Sequence, residues 1–207
     1  MSPPLDARRT GVANFGAVAT GSGSSARVLS RYESRHAPEN ADRLRLLELA
    51  RVEPDPWSRS LPLHLTASAL VVHPPSARIL LRWHDRLGQW MQVGGHGDPG
   101  EDDPLLIALR EAEEETGLAD LRPHATVPGH QPQPVQVVVV PVPARGDEPD
   151  HEHGDLRYLL VTSRPELAQP ESPGADLRWL SFDDSLQEVT SANLRELIVR
   201  AGTAFGL

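Results

Sequence analysis

Glu111, Glu114 and Glu115 stand at i, i+3 and i+4 within GHGDPGEDDPLLIALREAEEETGL, the stretch from Gly95 to Leu118. At about 100° per residue, that spacing puts all three carboxylates on one face of a helix. Leu105, Ala108, Leu109, Ala112 and Thr116 fall on another face, so one side packs while the other presents acid. Two like charges about 4 Å apart repel by about 1 kcal/mol in water and about 4 kcal/mol at an effective dielectric of 20, so the acidic face calls for a cation. Clustered carboxylate oxygens suit hard divalent ions, and Mg²⁺ in particular keeps waters and takes substrate phosphates as further ligands. The plainer alternative is a solvated glutamate-rich helix with Arg110 as its ion-pair partner.

The segment ahead of this helix favours the metal. Gly94, Gly95, Gly97 and Gly100 surround Asp98, Pro99 and Glu101, and glycine lets a backbone turn sharply and approach a ligand. Together the run resembles the signature of the Nudix hydrolases: a glycine, five residues, a glutamate, seven residues, then R-E-U-x-E-E-x-G-U with U aliphatic. Gly95 and Glu101 fit its first half; Arg110 to Leu118 fit its second, with Ala112 and Leu118 in the U positions. Eight residues rather than seven separate Glu101 from Arg110. Either the extra residue bulges within Asp102-Asp103-Pro104, or Asp102 takes the acidic position and His96 displaces the glycine. The first is preferred, because Asp102 or Asp103 makes a good N-cap ahead of a proline in the first helical turn.

The resemblance implies an α/β fold, an α/β/α sandwich around a mixed β-sheet. It also implies a hydrolase that uses Mg²⁺ or Mn²⁺ to cleave a diphosphate (pyrophosphate) linkage in a nucleoside diphosphate derivative or a similar small molecule. The ions would be held by Glu111, Glu114 and Glu115, with Glu101 and the Gly95 carbonyl. Arg110 would orient a neighbouring glutamate. Such enzymes commonly draw a further ligand or base from a later loop, here Asp147 to Asp155. There His151 and His153 point the same way if the segment is extended and would join the metal ligands, with Glu152 beside them. The general base is left open among Glu114, Glu115 and this loop. Read without function, the loop is an exposed polar connection between strands. Two rival readings of the chain remain, a non-catalytic Nudix-fold ligand-binding or regulatory module and a plain acidic binder of divalent cations.

Composition removes other mechanisms. The 207 residues contain no cysteine, and all 20 basic residues are arginine. Disulfides, thiolate catalysis, cysteine-zinc sites, a Walker-type lysine and Schiff-base chemistry are therefore excluded. A net charge of -9 argues against general nucleic-acid binding. No apolar run approaches the roughly 20 residues that span a bilayer. Gly95-x-Gly97-x-x-Gly100 matches a dinucleotide-binding pattern, yet Asp98, Glu101, Asp102 and Asp103 crowd the position where a pyrophosphate would sit. Trp83, Trp90, Arg82 and His84 are candidates to line a base or sugar pocket, with Trp more often a core residue. Arg145 and Arg157 are candidate phosphate contacts or surface ion pairs.

Three segments are expected. Residues 1–37 read as a flexible tail, or one ordered only by packing on a neighbour, and Arg8-Arg9 with the weakly apolar 12–19 makes a poor export signal, so the protein is expected to be cytoplasmic. Residues 38–61 form a helical extension, running from Asn40 with Leu44, Leu47 and Leu49 to Pro54 and Pro56. Its apolar face must be buried against the catalytic domain or a second subunit, as in a homodimer. Residues 62–207 carry the catalytic domain. Strands are expected at 63–72, 78–83, 90–93, 135–142, 156–162 and 177–180, with the glutamate helix stopping at Gly117 and a last amphipathic helix over 191–201.

Overall fold

The computed structural model describes residues 23–127 and 129–207; Arg8, Arg9 and the segment 12–19 lie outside the described residues. Two helices come first, α1 (Ser24–Arg31) and α2 (Ala37–Val52). The aliphatic run β1 (Leu63–His73) turns through Pro74–Ser76 into β2 (Arg78–His84), and the two pair antiparallel as the expected hairpin. Then follow β3 (Gln89–Met91), β4 (Val93–Gly95), α3 (Pro104–Thr116), β5 (Arg122–Pro123), β6 (Gln136–Val142), β7 (His151–Val161), β8 (Leu177–Ser181), α4 (Phe182–Glu188) and α5 (Ala192–Phe205).

The strands form one mixed sheet in the order β3-β2-β1-β7-β5, with β4 also on β1, β6 on β7 and β8 on β2. β1 and β7 run parallel in unbroken register from Leu63 beside Glu152 to Val72 beside Val161. The other pairings are antiparallel. Side chains alternate across a strand, so this register fixes two faces. Leu65, Ala67, Ala69 and Val71 of β1 and Leu156, Tyr158 and Leu160 of β7 pack with residues of α1, α2 and α3. Leu70, Val72 and Leu159 pack on the other side with Leu194, Leu197, Ile198 and Ala201 of α5. The expected α/β/α sandwich is therefore the observed architecture.

The N-terminal extension is sewn to its own domain. Leu46, Leu47 and Ala50 of α2 are buried in the first core. Among the described residues β6 pairs only with β7, and an edge strand leaves N–H groups in need of acceptors. Val137 N–H donates to Glu39 Oε1 at 3.2 Å and Val139 N–H to Asp42 Oδ2 at 2.9 Å. Glu39 is itself buried, accepting from Arg200 of α5 at 2.6 and 3.1 Å and from the Tyr32 hydroxyl at 2.5 Å. Burial alone would raise its carboxyl, but the bonds from Arg200 and Tyr32 outweigh that and bring it down to about 2.

Two sequence expectations need correcting. The tail expected over 1–37, flexible or ordered only by packing on a neighbour, is helical at 24–31, with Ala26 and Leu29 buried and Ser25 Oγ donating to the Asp102 carbonyl at 2.9 Å. A serine-rich segment with weak helix propensity is held here by tertiary contacts. The acidic connection at 147–155 is loop only as far as residue 150, because β7 begins at His151 and pairs on both sides.

Candidate functional site

α3 begins where its sequence says it should. Asp103 is the N-cap, its side chain accepting from the N–H groups of Leu105 and Leu106 at 3.0 and 3.4 Å, and Pro104 occupies the first turn. Gly117 closes the helix at φ 66. Ile107, Ala108, Ala112 and Thr116 are buried against the sheet, and the glutamates face the glycine segment.

The extra residue between Glu101 and Arg110 is thereby explained. Glu101 turns toward the helix, accepting from Arg110 Nε at 3.1 Å and Nη2 at 2.9 Å. Asp102 turns the opposite way, to the N–H of Ser24 and to Ser25 Oγ. Asp103 caps. Three consecutive acids thus have three separate tasks, and Glu101 is the loop acid that joins the helical glutamates.

Arg110 is the hub of the acidic face. Its guanidinium also donates to Glu111 Oε1 and Glu114 Oε2, each at 3.0 Å, and to the His96 carbonyl at 2.9 Å. Glu115 accepts from Gly94 N–H at 2.9 Å and lies 3.4 Å from Arg82, whose own second partner is Glu171 at 3.6 Å. Burial pushes Glu115 up to about 7, with the Gly94 N–H and Arg82 opposing. Burial also raises Glu111, and Arg110 opposes it. Glu101 is lowered by the Arg110 hydrogen bonds.

This donor set fits a divalent cation. Glu101, Glu111, Glu114 and Glu115 gather around Arg110 and Arg82, with Asp98 4.0 Å from Arg110 and Glu171 3.6 Å from Arg82, so carboxylates outnumber guanidiniums at this face. Gly95 makes room for the group, since a Cβ there would stand 2.5 Å from Glu111 Oε2. Oxygen donors of this kind, one of them a buried carboxylate with a raised pKa, suit Mg²⁺ or Mn²⁺.

The three residues expected from the 147–155 segment are placed elsewhere. Alternation along β7 turns His151 and His153 to the sheet face away from α3, while Glu152 projects the other way and pairs with Arg45 of α2 at 2.6 Å. His151 and His153 meet His64 of β1 and His96, which follows β4. Their ring centroids lie 4.8 to 5.4 Å apart. Burial, then the neighbouring imidazoles, keep His96 down at about 3 and His153 at about 4. Nothing in the sequence singles out His64, and His96 stands there only as the alternative to a glycine of the signature. The signal that joins them is the parallel register of β1 on β7, which sets His64 beside His153.

The remaining candidates have partners of their own. Trp83 and Trp90 are a half-buried cross-strand pair meeting edge to face at 5.3 Å, with the Arg178 guanidinium 5.1 Å above Trp90. Arg157 is buried and bonded to Asp155 at 2.7 Å and to Gln136 and Asn193 at 3.1 Å each. Arg145 pairs its backbone with Glu148. No helix among the described residues is long and apolar enough to cross a membrane.

Comparison with known proteins bears on the whole arrangement. A family model described as the NUDIX domain matches residues 62–200. A CMP-5'-(N-acetyl-N-hydroxy-3-aminopropyl)phosphonate hydrolase from Streptomyces rubellomurinus is 30% identical over 147 residues, 68% of this chain. The match spans 61% of that relative's own length. Among solved structures, an Ap4A hydrolase from C. elegans superposes with a TM-score of 0.54 at 18% identity, over 69% of this chain and 97% of that one. A NUDIX-family hydrolase from Clostridium perfringens gives a TM-score of 0.52 at 22% identity, over 69% and 96%. At those identities the structural matches speak for the fold.

Proposed function

Because the chain belongs to the NUDIX domain family, we propose that it is a divalent-metal-dependent hydrolase of a diphosphate linkage in a nucleotide derivative. The observation that carries this reading is the excess of carboxylates over guanidiniums at the face of α3 and its preceding segment. Glu111 and Glu114, with Glu101, the Gly95 carbonyl and one oxygen of Glu115, would hold the metal. When bound, Mg²⁺ or Mn²⁺ neutralises charge on the diphosphate oxygens and lowers the pKa of an attacking water.

The remaining work belongs to the chain. Arg110 fixes Glu101, Glu111 and Glu114 relative to one another through four hydrogen bonds to their oxygens. Its fifth bond, to the His96 carbonyl, ties the helix to the glycine segment. Glu115 receives the proton of the attacking water at its carboxylate. Burial raises this carboxyl in the metal-free protein, and a carboxylate beside the attacking water is placed to take its proton. Gly94 N–H and Arg82 hold Glu115 in place.

The Streptomyces relative suggests the substrate class, CMP joined to a substituted alkylphosphonate. A panel of CMP-phosphonate conjugates, nucleotide sugars, dinucleoside polyphosphates and nucleoside triphosphates, with Mg²⁺ or Mn²⁺ supplied, tests the proposal through phosphate released after phosphatase treatment. Metal-dependent turnover is expected on at least one class, with a fall of about 100- to 10,000-fold in Glu115→Gln. Equal turnover by that variant, or no metal-dependent turnover across the panel, removes the reading.

A further inference from the structure

Four imidazoles from three places in the sequence converge beneath the glycine segment. His96 Nε2 lies 3.1 Å from His64 Nε2 and 3.3 Å from His153 Nε2, and His153 Nε2 lies 3.2 Å from His151 Nε2. One ring nitrogen each of His64, His151 and His153 falls within 4.8 Å of the other two. His64 is 1% exposed and the His151 side chain 9%.

Hydrogen bonding among neutral rings cannot account for this arrangement, in which Glu148 Oε1 also lies 3.6 Å from His151 Nε2. His64 Nδ1 is 3.0 Å from the Leu61 carbonyl and His151 Nδ1 is 2.9 Å from the Pro149 carbonyl. A carbonyl only accepts, so each of these Nδ1 atoms carries the proton, and in a neutral ring Nε2 is then a bare lone pair. That leaves at most two protons, on His96 and His153, for three close Nε2 contacts. If both nitrogens are protonated, the contact between His96 and His153 brings two N–H groups together; if either is not, another contact brings two lone pairs together. Every neutral arrangement opposes like poles somewhere.

We propose that His64, His151 and His153, with His96 as the fourth donor, form a binding site for a transition-metal ion of the Zn²⁺ class, distinct from the carboxylate face of α3. A cation accepts all the inward lone pairs at once. With Zn–N bonds of about 2.0–2.1 Å, a tetrahedral site sets its nitrogens about 3.3 Å apart; the three contacts of 3.1, 3.2 and 3.3 Å come close to that, with His96 outside the group of three whose nitrogens all fall within 4.8 Å of one another. The Nδ1-to-carbonyl bonds are the outer-shell bonds by which metal-bound histidines are commonly oriented. Imidazole nitrogen selects Zn²⁺, Co²⁺, Ni²⁺ or Cu²⁺, whereas Mg²⁺ demands oxygen.

Register keeps the two sites apart. His64 and His153 share the parity of Leu70 and Leu159, on the α5 face, whereas α3 packs with Ala67 and Leu156 on the opposite one. Gly95 turns toward Glu111 and the next residue, His96, turns through to the imidazoles. An ion here would clamp the signature segment to β1 and β7. The proposal stands independently of the hydrolase reading, since it needs no substrate and no turnover.

The test is metal uptake by the full chain, stripped with chelator and titrated with Zn²⁺, and separately with Co²⁺, in excess Mg²⁺. One tightly held Zn²⁺ per chain is expected after desalting, and Co²⁺ should show the intense visible bands of a tetrahedral site. His153→Ala should weaken Zn²⁺ binding by at least about 100-fold, the upper end of what loss of an outer-shell partner alone costs. Glu111→Gln should bind Zn²⁺ as the parent does. His96→Gln, altered at the one donor outside the β1–β7 pairing, gives a second variant if His153→Ala does not fold; it should lose the tetrahedral cobalt spectrum. No stoichiometric Zn²⁺ on the folded parent, displacement of it by Mg²⁺, a pale octahedral cobalt spectrum, or unchanged uptake by folded His variants would overturn the proposal.

Discussion

The carboxylate face of α3 and the imidazole cluster lie back to back, separated by a sheet and joined by two consecutive residues, Gly95 and His96. They are built on opposite principles. The first is charged, with its acids partly neutralised by Arg110 and Arg82 and half open to solvent; Glu114 is 57% exposed and Glu115 12%. The second is built of imidazoles, and burial lowers His64, His96 and His153. Hard cations need oxygen donors and a phosphate substrate needs access to them, whereas a site that only holds structure needs no access. The contrast assigns chemistry to the first region and architecture to the second.

Substitutions can break that division. The largest effect is expected at the carboxylates: Glu115→Gln should lower kcat by about 100- to 10,000-fold at saturating Mg²⁺, measured by initial rates. The same loss from His151→Ala, with folding intact, would dissolve the division, because the cluster would then take part in the reaction.

Next in size is the pair that fastens the extension and touches neither region. Arg200→Met leaves Glu39 buried without its partner and should cost about 3–5 kcal/mol, read as a lower denaturant midpoint. Glu39 is held at about 2, below its ordinary 4.5. Its contribution is therefore present above pH about 4.5 and lost as pH falls toward 2. An acid titration followed by circular dichroism should lose that pH-dependent part in Glu39→Gln.

A third prediction separates the two regions by pH. In metal-free protein Glu115 sits at about 7, above its ordinary 4.5. The folded state then binds the proton more tightly than the unfolded chain, so this group's contribution falls as pH rises from 4.5 through 7. Mg²⁺ should restore it by binding the carboxylate, and its affinity should rise with pH over that window, as isothermal titration at several pH values would report. The smallest effect is expected at Glu152→Ala. It severs an exposed pair with Arg45 and should change stability by less than about 1 kcal/mol, with no change in turnover.

The two regions also differ in how visible they are in the sequence. Glu111, Glu114 and Glu115 are contiguous, so helical periodicity alone puts them on one face, and Asp103-Pro104 and Gly117 mark the ends of that helix. The imidazoles come from positions 64, 96, 151 and 153, and only the pairing of β1 with β7 unites them. Parallel pairing between distant strands has no local pattern. His151 and His153 were legible as a same-side pair, yet which side depends on where the strand begins. Taking 147–155 as a loop set Glu152 beside them, and strand alternation sends it to Arg45 instead. α1 was hidden for a related reason, since its order comes from Asp102 and the core rather than from Ser24-Ser25 themselves. The number of acids between Glu101 and Pro104 was plain, but their separate tasks became visible only with α1 in place.

The division between the two regions is tested most directly by loading one sample with Mn²⁺ and Zn²⁺ together and counting both ions in the parent, in Glu111→Gln and in a His151→Ala/His153→Ala variant. The account predicts that Glu111→Gln loses Mn²⁺ and keeps Zn²⁺, while the histidine variant loses Zn²⁺ and keeps Mn²⁺. Loss of both ions by either folded variant, or Zn²⁺ lodging at the glutamates when the histidines are gone, would contradict it.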